Sequence, residues 1–126
     1  NFDTSDGTCV RDYIHIKDVC LAIEKSINYL LKKNHSLLLN IGNSRGYSNY
    51  EIVNFVKKKI KNETIIKFAN KRHGDVSSLV CNSDKARKIL SWKSTNSNMK
   101  KIFQNEINWI KKLDKMGIKR KFKTYL

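Results

Sequence analysis

The 126 residues predict an α/β or α+β domain with its binding site at the strand ends, and three observations carry that expectation. Segments of helical and of strand periodicity alternate along the chain. One short apolar run, SLLLNIG (36–42), has the continuous pattern of a strand covered on both faces. The unusual polar residues, RDY at 11–13 and RHGD at 72–75, fall at the ends of strand-like segments. Proline is absent, so the turns must come from Gly, Asn, Asp and Ser.

The elements follow in order. Residues 9–16 read as a strand. Asp18 is then placed to cap a helix over VCLAIEKSINYLLKK, with Val19, Ala22, Ile23, Ser26, Ile27 and Leu30 on one face. After the apolar run, Gly42 and Gly46 bracket a loop. Ser48 and Glu51 have the spacing of a capping box, opening a helix to about Ile60 with Ile52, Val53, Val56 and Ile60 inward. TIIKFA (64–69) reads as a strand, NKRHGD (70–75) as a loop and 78–82 as a brief extension. Ser83 caps the short helix DKARKIL, beneath which Trp92 is expected to pack. A last helix runs from about Ser97 to Leu113, with Met99, Ile102, Phe103, Ile107 and Ile110 on its core face. Residues 1–113 therefore form the domain, and 114–126 a basic, solvated tail.

Composition narrows the function classes. A hydrophobic content of 40% suits a globular protein with a real core. No apolar run approaches the roughly 20 residues of a membrane helix, and the polar, acidic start NFDTSDGT is unlike a signal peptide. The sequence starts without Met and enters a strand almost at once, as part of a longer protein would. Cys9, Cys20 and Cys81 lack the paired spacing of a zinc site and read as buried free thiols of a reducing, cytoplasmic compartment.

The net charge of +15 resembles a nucleic-acid signal. The basic residues are nearly all lysine, and only Arg11, Arg45, Arg72, Arg87 and Arg120 are arginine. Lysine together with abundant asparagine is what an AT-rich coding sequence gives without selection for binding. Arginine, the better reader of phosphates and bases, is scarce, and the aromatics fall at core positions. Nucleic acid is therefore not an expected partner.

Two polar clusters remain, Arg11-Asp12-Tyr13 and Arg72-His73-Gly74-Asp75. Two guanidinium groups converging from separate loops suit a pyrophosphate, because each fork matches two phosphate oxygens and stays charged. A carboxylate beside them can accept hydrogen bonds from ribose hydroxyls, and Gly74 would let the backbone approach a ligand. His73 adjoins the arginine and is a further candidate contact. From spacing alone, structural Arg–Asp bridges explain the same residues. His15, in an apolar strand, reads as a satisfied core histidine, and His35 as a helix-end residue. GNSRG (42–46) lacks the Lys-Ser/Thr ending of a phosphate-cradling loop.

Taken in order, DGTCVRDYIHIKDVCLA, LLLNIGNSRGYSNYEIV, KRHGD and NSDKARKILSWK resemble the carboxy-terminal part of the UDP-glucose 4-epimerase family, extended short-chain dehydrogenase/reductase proteins. The resemblance runs to about Leu113. It implies the carboxy-terminal substrate-binding portion of an extended Rossmann-type fold, without most of the NAD-binding half. It also implies an isomerase that oxidises sugar carbon 4 with bound NAD and returns the hydride to the other face of the ketone. UDP-glucose and UDP-galactose would be the substrates, and a homodimer the assembly of the full-length protein.

By the same resemblance, Arg11 and Arg72 contact the diphosphate, Asp12 orients Arg11 and Tyr13 shapes the nucleotide pocket. Asp75 binds the ribose hydroxyls, and Leu79 stands at the sugar wall. His73 departs from the proline or glutamate usual in the family. The chain contains no G-x-x-G-x-x-G turn. Tyr13 and Lys17 spell Y-x-x-x-K, but in a predicted strand and not at the start of a helix, so they are not expected to be the catalytic pair. No catalytic residue is expected in this chain, and NAD would be held by the missing amino-terminal half. The alternatives are another UDP-sugar epimerase or decarboxylase of the superfamily, or a non-catalytic nucleotide-sugar-binding domain.

Overall fold

Arg11 lies in the central strand of a small sheet. The computed structural model describes residues 2–60 and 66–118. Strands β1 (Val10–Asp12), β2 (Gly46–Ser48) and β3 (Ser78–Leu79) are ordered β2-β1-β3. β1 runs antiparallel to β2, pairing Val10 with Ser48, Arg11 with Tyr47 and Asp12 with Gly46. It runs parallel to β3, pairing Val10 with Ser78 and Arg11 with Leu79. The Val10 and Val80 side chains pack over Gly46 so closely that a Cβ there would strike Val10 and come within 2.7 Å of a Val80 methyl.

β1 is shorter than the predicted 9–16 because a helix starts earlier than expected. His15, extended at φ −77° and ψ 139°, is the N-cap of α1 (Ile16–Lys33), and its Nδ1 accepts from the Lys17 amide at 3.0 Å. Asp18, the predicted cap, lies inside the first turn. It is fully buried and bonds elsewhere: Ser97 Oγ donates to it at 2.5 Å, the Asn96 amide N–H at 2.9 Å and Asn96 Nδ2 at 2.7 Å. Asp18 therefore ties α1 to the 95–97 loop. His15 is the satisfied core histidine expected, buried with Asn105 2.9 Å from its Nε2.

The Ser48–Glu51 capping box forms as predicted and opens α2 (Asn49–Ile60). Ser48 N–H donates to Glu51 Oε2 at 2.7 Å, and Glu51 N–H to Ser48 Oγ at 3.0 Å. α3 (Asp84–Leu90) and Trp92 close the core: Ala22, Ala86, Leu90 and Trp92 pack together, with Leu39 and Ile41 against them. The Trp92 indole N–H donates to the carbonyl of Asp18 at 2.9 Å, so the buried ring leaves no orphan donor. α4 (Met99–Lys115) begins on an Asn98 cap and continues two residues beyond the predicted end at Leu113. Its Phe103 stacks on Phe55 of α2, with ring centroids 5.1 Å apart. The predicted tail lies largely outside the described residues.

One predicted strand is not found, and a second falls partly outside the described residues. SLLLNIG is not part of the sheet: Leu39 and Ile41 face the core while Leu38 is 87% exposed. A strand covered on both faces needs sheet neighbours, and the described residues supply none for it. Residues 64 and 65 of TIIKFA lie outside the described residues, and 66–69 form no strand. The α1 face is also wider than its cover: Ala22 is buried, but Ile23, Ile27 and Leu30 are about half exposed. The cysteines are free as expected but not uniformly buried, since Cys20 is exposed and Cys81 half-buried. No described helix is long and apolar enough to cross a membrane.

Candidate functional site

Both predicted arginines meet at one carboxylate. Arg11 Nη2 lies 3.7 Å from Asp75 Oδ1, and Arg72 Nε donates to Asp75 Oδ2 at 3.1 Å. Their surroundings differ. The Arg11 side chain is 24% exposed, and its Nη1 donates to the carbonyls of Val10 at 2.8 Å and Val76 at 3.0 Å. These bonds turn Nη2 toward Asp75. The Arg72 side chain is 84% exposed, held only at the rim.

The loop that carries the second cluster is a tight turn. The Asp75 amide N–H donates to the Arg72 carbonyl at 3.2 Å, with Gly74 at φ +85°. A Cβ on Gly74 would meet nothing within 4 Å, so it is the turn's left-handed conformation, not a crowded approach, that calls for glycine. This turn brings Arg72 and Asp75 onto the same side. His73, at its apex, is exposed.

A cleft of about 500 Å³ runs beside β1 and β3, lined by Arg11, Asp12, Asn40, Leu79 and Cys81 among others. Leu79 stands opposite Arg11 in register and is largely exposed. Thus the proposed phosphate residue and the proposed sugar-wall residue share one cleft, as residues paired across neighbouring strands share a face.

Asp12 does not orient Arg11. Successive strand residues face opposite ways, and Asp12 instead accepts from the amides of Asn43 at 2.8 Å, Ser44 at 3.0 Å and Cys81, more weakly, at 3.4 Å. It therefore pins the GNSRG loop and the end of β3 to β1. Gly42 permits the contact, since a Cβ there would strike Cys81 Sγ and lie 2.7 Å from Asp12 Oδ2. Ser83 reinforces it, accepting from Gly42 N–H at 3.1 Å and donating to the Gly42 carbonyl at 2.9 Å. Sequence reasoning missed this use of GNSRG, whose only signal was a pair of glycines around polar residues.

Tyr13 donates to Asn49 Oδ1 at 3.4 Å at the start of α2. Burial pushes its phenol above the ordinary tyrosine range, with the Cys9 thiol adding to the rise and Arg11 opposing it. That is the wrong direction for a proton carrier near neutral pH. Lys17 lies in the first turn of α1, not in a strand as predicted, so Tyr13 and Lys17 straddle the His15 cap and do not open a helix together. No glycine-rich turn of the G-x-x-G-x-x-G kind occurs among the described residues. They also contain no group of three candidate metal ligands.

No family profile matches the chain. It is 38% identical over 109 residues to the UDP-glucose 4-epimerase of Rhizobium meliloti strain 1021, and 39% identical over 109 residues to that of Lacticaseibacillus casei. Each alignment covers 86% of this chain and 33% of the relative. The chain thus spans about a third of the length of these curated relatives. The fold agrees: a crystal structure of a UDP-glucose 4-epimerase superposes with a TM-score of 0.83 at 36% identity, over 90% of this chain and 34% of that one. The enzyme from Bifidobacterium longum, solved in complex with NAD+ and UDP, gives 0.77 at 28% identity, over 88% and 32%.

Proposed function

We propose, from a chain that corresponds in sequence and fold to a third of the UDP-glucose 4-epimerases, that it supplies the UDP-sugar-binding part of such an enzyme. The observation that carries this reading is the Arg11–Asp75–Arg72 cluster, whose Arg11 also lines the cleft bordered by Leu79. Arg11 and Arg72 grip the pyrophosphate, Asp75 accepts from the ribose hydroxyls, Tyr13 borders the nucleotide and His73 lies at the rim beside the phosphates. Leu79, of middling size, faces the sugar and admits UDP-glucose and UDP-galactose. Asp12 holds the cleft's floor together.

The chemistry at sugar carbon 4 belongs to the part of the relatives that this chain does not cover. NAD, which supplies the hydride acceptor, is held there, as are the proton-carrying tyrosine and its lysine. The described residues offer neither, so no reaction step is assigned to them. The complete enzyme is cytoplasmic and a homodimer.

A second reading, a nucleotide-sugar-binding domain without catalysis, rests on the same Arg11–Asp75–Arg72 cluster and asks only that the chain bind the ligand. Two measurements separate the cases. Titration calorimetry with UDP tests the site, and absence of heat at millimolar UDP sinks both readings. Conversion of UDP-galactose to UDP-glucose by the chain joined to an NAD-binding epimerase portion tests the activity. Binding without conversion in that assembly favours the non-catalytic domain.

A further inference from the structure

Helix α1 carries two apolar faces, and the described residues cover only one. Ala22 is buried in the core with Trp92. About a third of a turn round the helix, Ile16, Cys20, Ile23, Ile27 and Leu30 form a second stripe. Ile16 is 67% exposed, Cys20 is exposed, and Ile23, Ile27 and Leu30 are about half exposed. Their separations alternate between four and three residues, the spacing that keeps a seam against a second helix. From Ile16 to Leu30 the seam runs about 21 Å along the axis, at about 1.5 Å per residue. Clefts open at both ends, one lined by Ile16, Ile102 and Trp109, the other by Leu30, Leu37 and Leu38. An apolar stripe of this length left in water costs free energy that burial against a partner removes.

We infer that this seam docks an amphipathic helix of the NAD-binding portion, resting on the reading above only for the identity of that partner. Two observations choose the occupant. The curated relatives are matched over 33% of their length, so most of each has no counterpart in this chain and is available to cover the face. A second copy is opposed by charge, since each chain carries +15. The borders of the seam add a requirement. Lys17 and Lys33 flank it with one carboxylate, Glu24, so the docking helix is expected to carry carboxylates beside its own apolar stripe.

Cys20 reports on the seam from within it, as an exposed thiol in a chain whose Cys9 is buried and Cys81 half-buried. The test is alkylation of Cys20 by iodoacetamide, read by peptide mass spectrometry, in the free chain and in the chain joined to an NAD-binding epimerase portion. The expected result is labelling slowed at least about tenfold in the assembly, as for a site open a tenth of the time or less. Ile23→Glu puts a charge into the seam one turn from Cys20 and is expected to restore the labelling rate. At this half-exposed position it leaves UDP binding by the free chain within a factor of about two. Ile27→Glu, one turn further on, guards against a folding defect peculiar to position 23 and is expected to act alike. Equal labelling in both forms, or protection that neither substitution relieves, overturns the seam and leaves the UDP site standing. Protection that grows with concentration in the free chain assigns the face to a second copy and overturns the proposed partner. Protection in the assembly without UDP binding upholds the seam while the nucleotide reading fails.

Discussion

Arg11 and Leu79 stand opposite each other in the parallel β1–β3 pair. Neighbouring strands lie about 4.8 Å apart, so a group held by Arg11 is within reach of the Leu79 side chain. A ligand whose phosphate sits on Arg11 therefore has its next portion beside Leu79. Enlarging this wall should affect sugar and not nucleotide: Leu79→Trp is expected to weaken UDP-galactose by about 1–3 kcal/mol, the usual cost of overpacking, while leaving UDP within a factor of two or so. Calorimetry with the two ligands reads it, and equal losses for both would remove Leu79 from the sugar wall.

The arginines are unequal partners. Arg11 is largely buried and fixed by two carbonyls, so little entropy remains to be lost when it binds an anion. Arg72 is exposed at the rim, where charge pairs are weak and screened. Arg11→Ala should cost roughly 1.5–3 kcal/mol of UDP affinity, the range of hydrogen bonds to charged groups. Arg72→Ala should cost about 1 kcal/mol or less and lose even that at high salt. A larger effect at Arg72 than at Arg11 would reverse the assignment of the anchoring residue.

Asp12 makes its contribution through backbone amides it accepts from, not through the ligand. Asp12→Ala leaves the N–H groups of Asn43 and Ser44 without their carboxylate and frees the loop that closes the cleft. A loss of about 2–3 kcal/mol of stability is expected, from the charged hydrogen bonds removed. Urea unfolding measures it. A midpoint unchanged by the substitution would mean that water replaces the carboxylate at no cost.

Local rules in the sequence predicted what depends on neighbours along the chain. The Ser48–Glu51 box, the inward Trp92 and the helices over 49–60 and 84–90 all follow from spacings of a few residues. NKRHGD was readable as a loop for the same reason, although Gly74 serves the turn's positive φ and not a close approach. What failed depends on partners distant in sequence. Asp18 looked like a cap because Asn96 and Ser97, far along the chain, could not be placed beside it. Asp12 looked like a partner for Arg11 because adjacency in sequence hides the alternation of a strand. SLLLNIG has a strand's composition, yet a strand forms only with neighbours to bond, and the described residues hold none for it. The resemblance to the epimerase family located Arg72 and Asp75 near Arg11, which spacing alone left open.

The carboxylate of Asp18 gives the fold a defined acid dependence. Burial pushes its carboxyl up, but the hydrogen bonds from Ser97 and Asn96 more than offset this, with the neighbouring His15 adding to the effect, so it titrates below the ordinary aspartate range. A group whose pKa is lower in the folded state stabilises that state above the unfolded value, near 3.9 for aspartate, and the contribution disappears as pH falls through the folded value. Asp18→Asn replaces an acceptor-only group with one that turns donors toward Asn96 and Ser97, at an expected cost of about 2–3 kcal/mol at pH 7. The difference from the unsubstituted chain should hold at pH 7 and pH 5. It should narrow below about pH 4, where protonation takes the charge from Asp18 itself. Urea midpoints across this range check the sign, and a difference that grew on acidification would mean that Asp18 is held protonated in the folded chain.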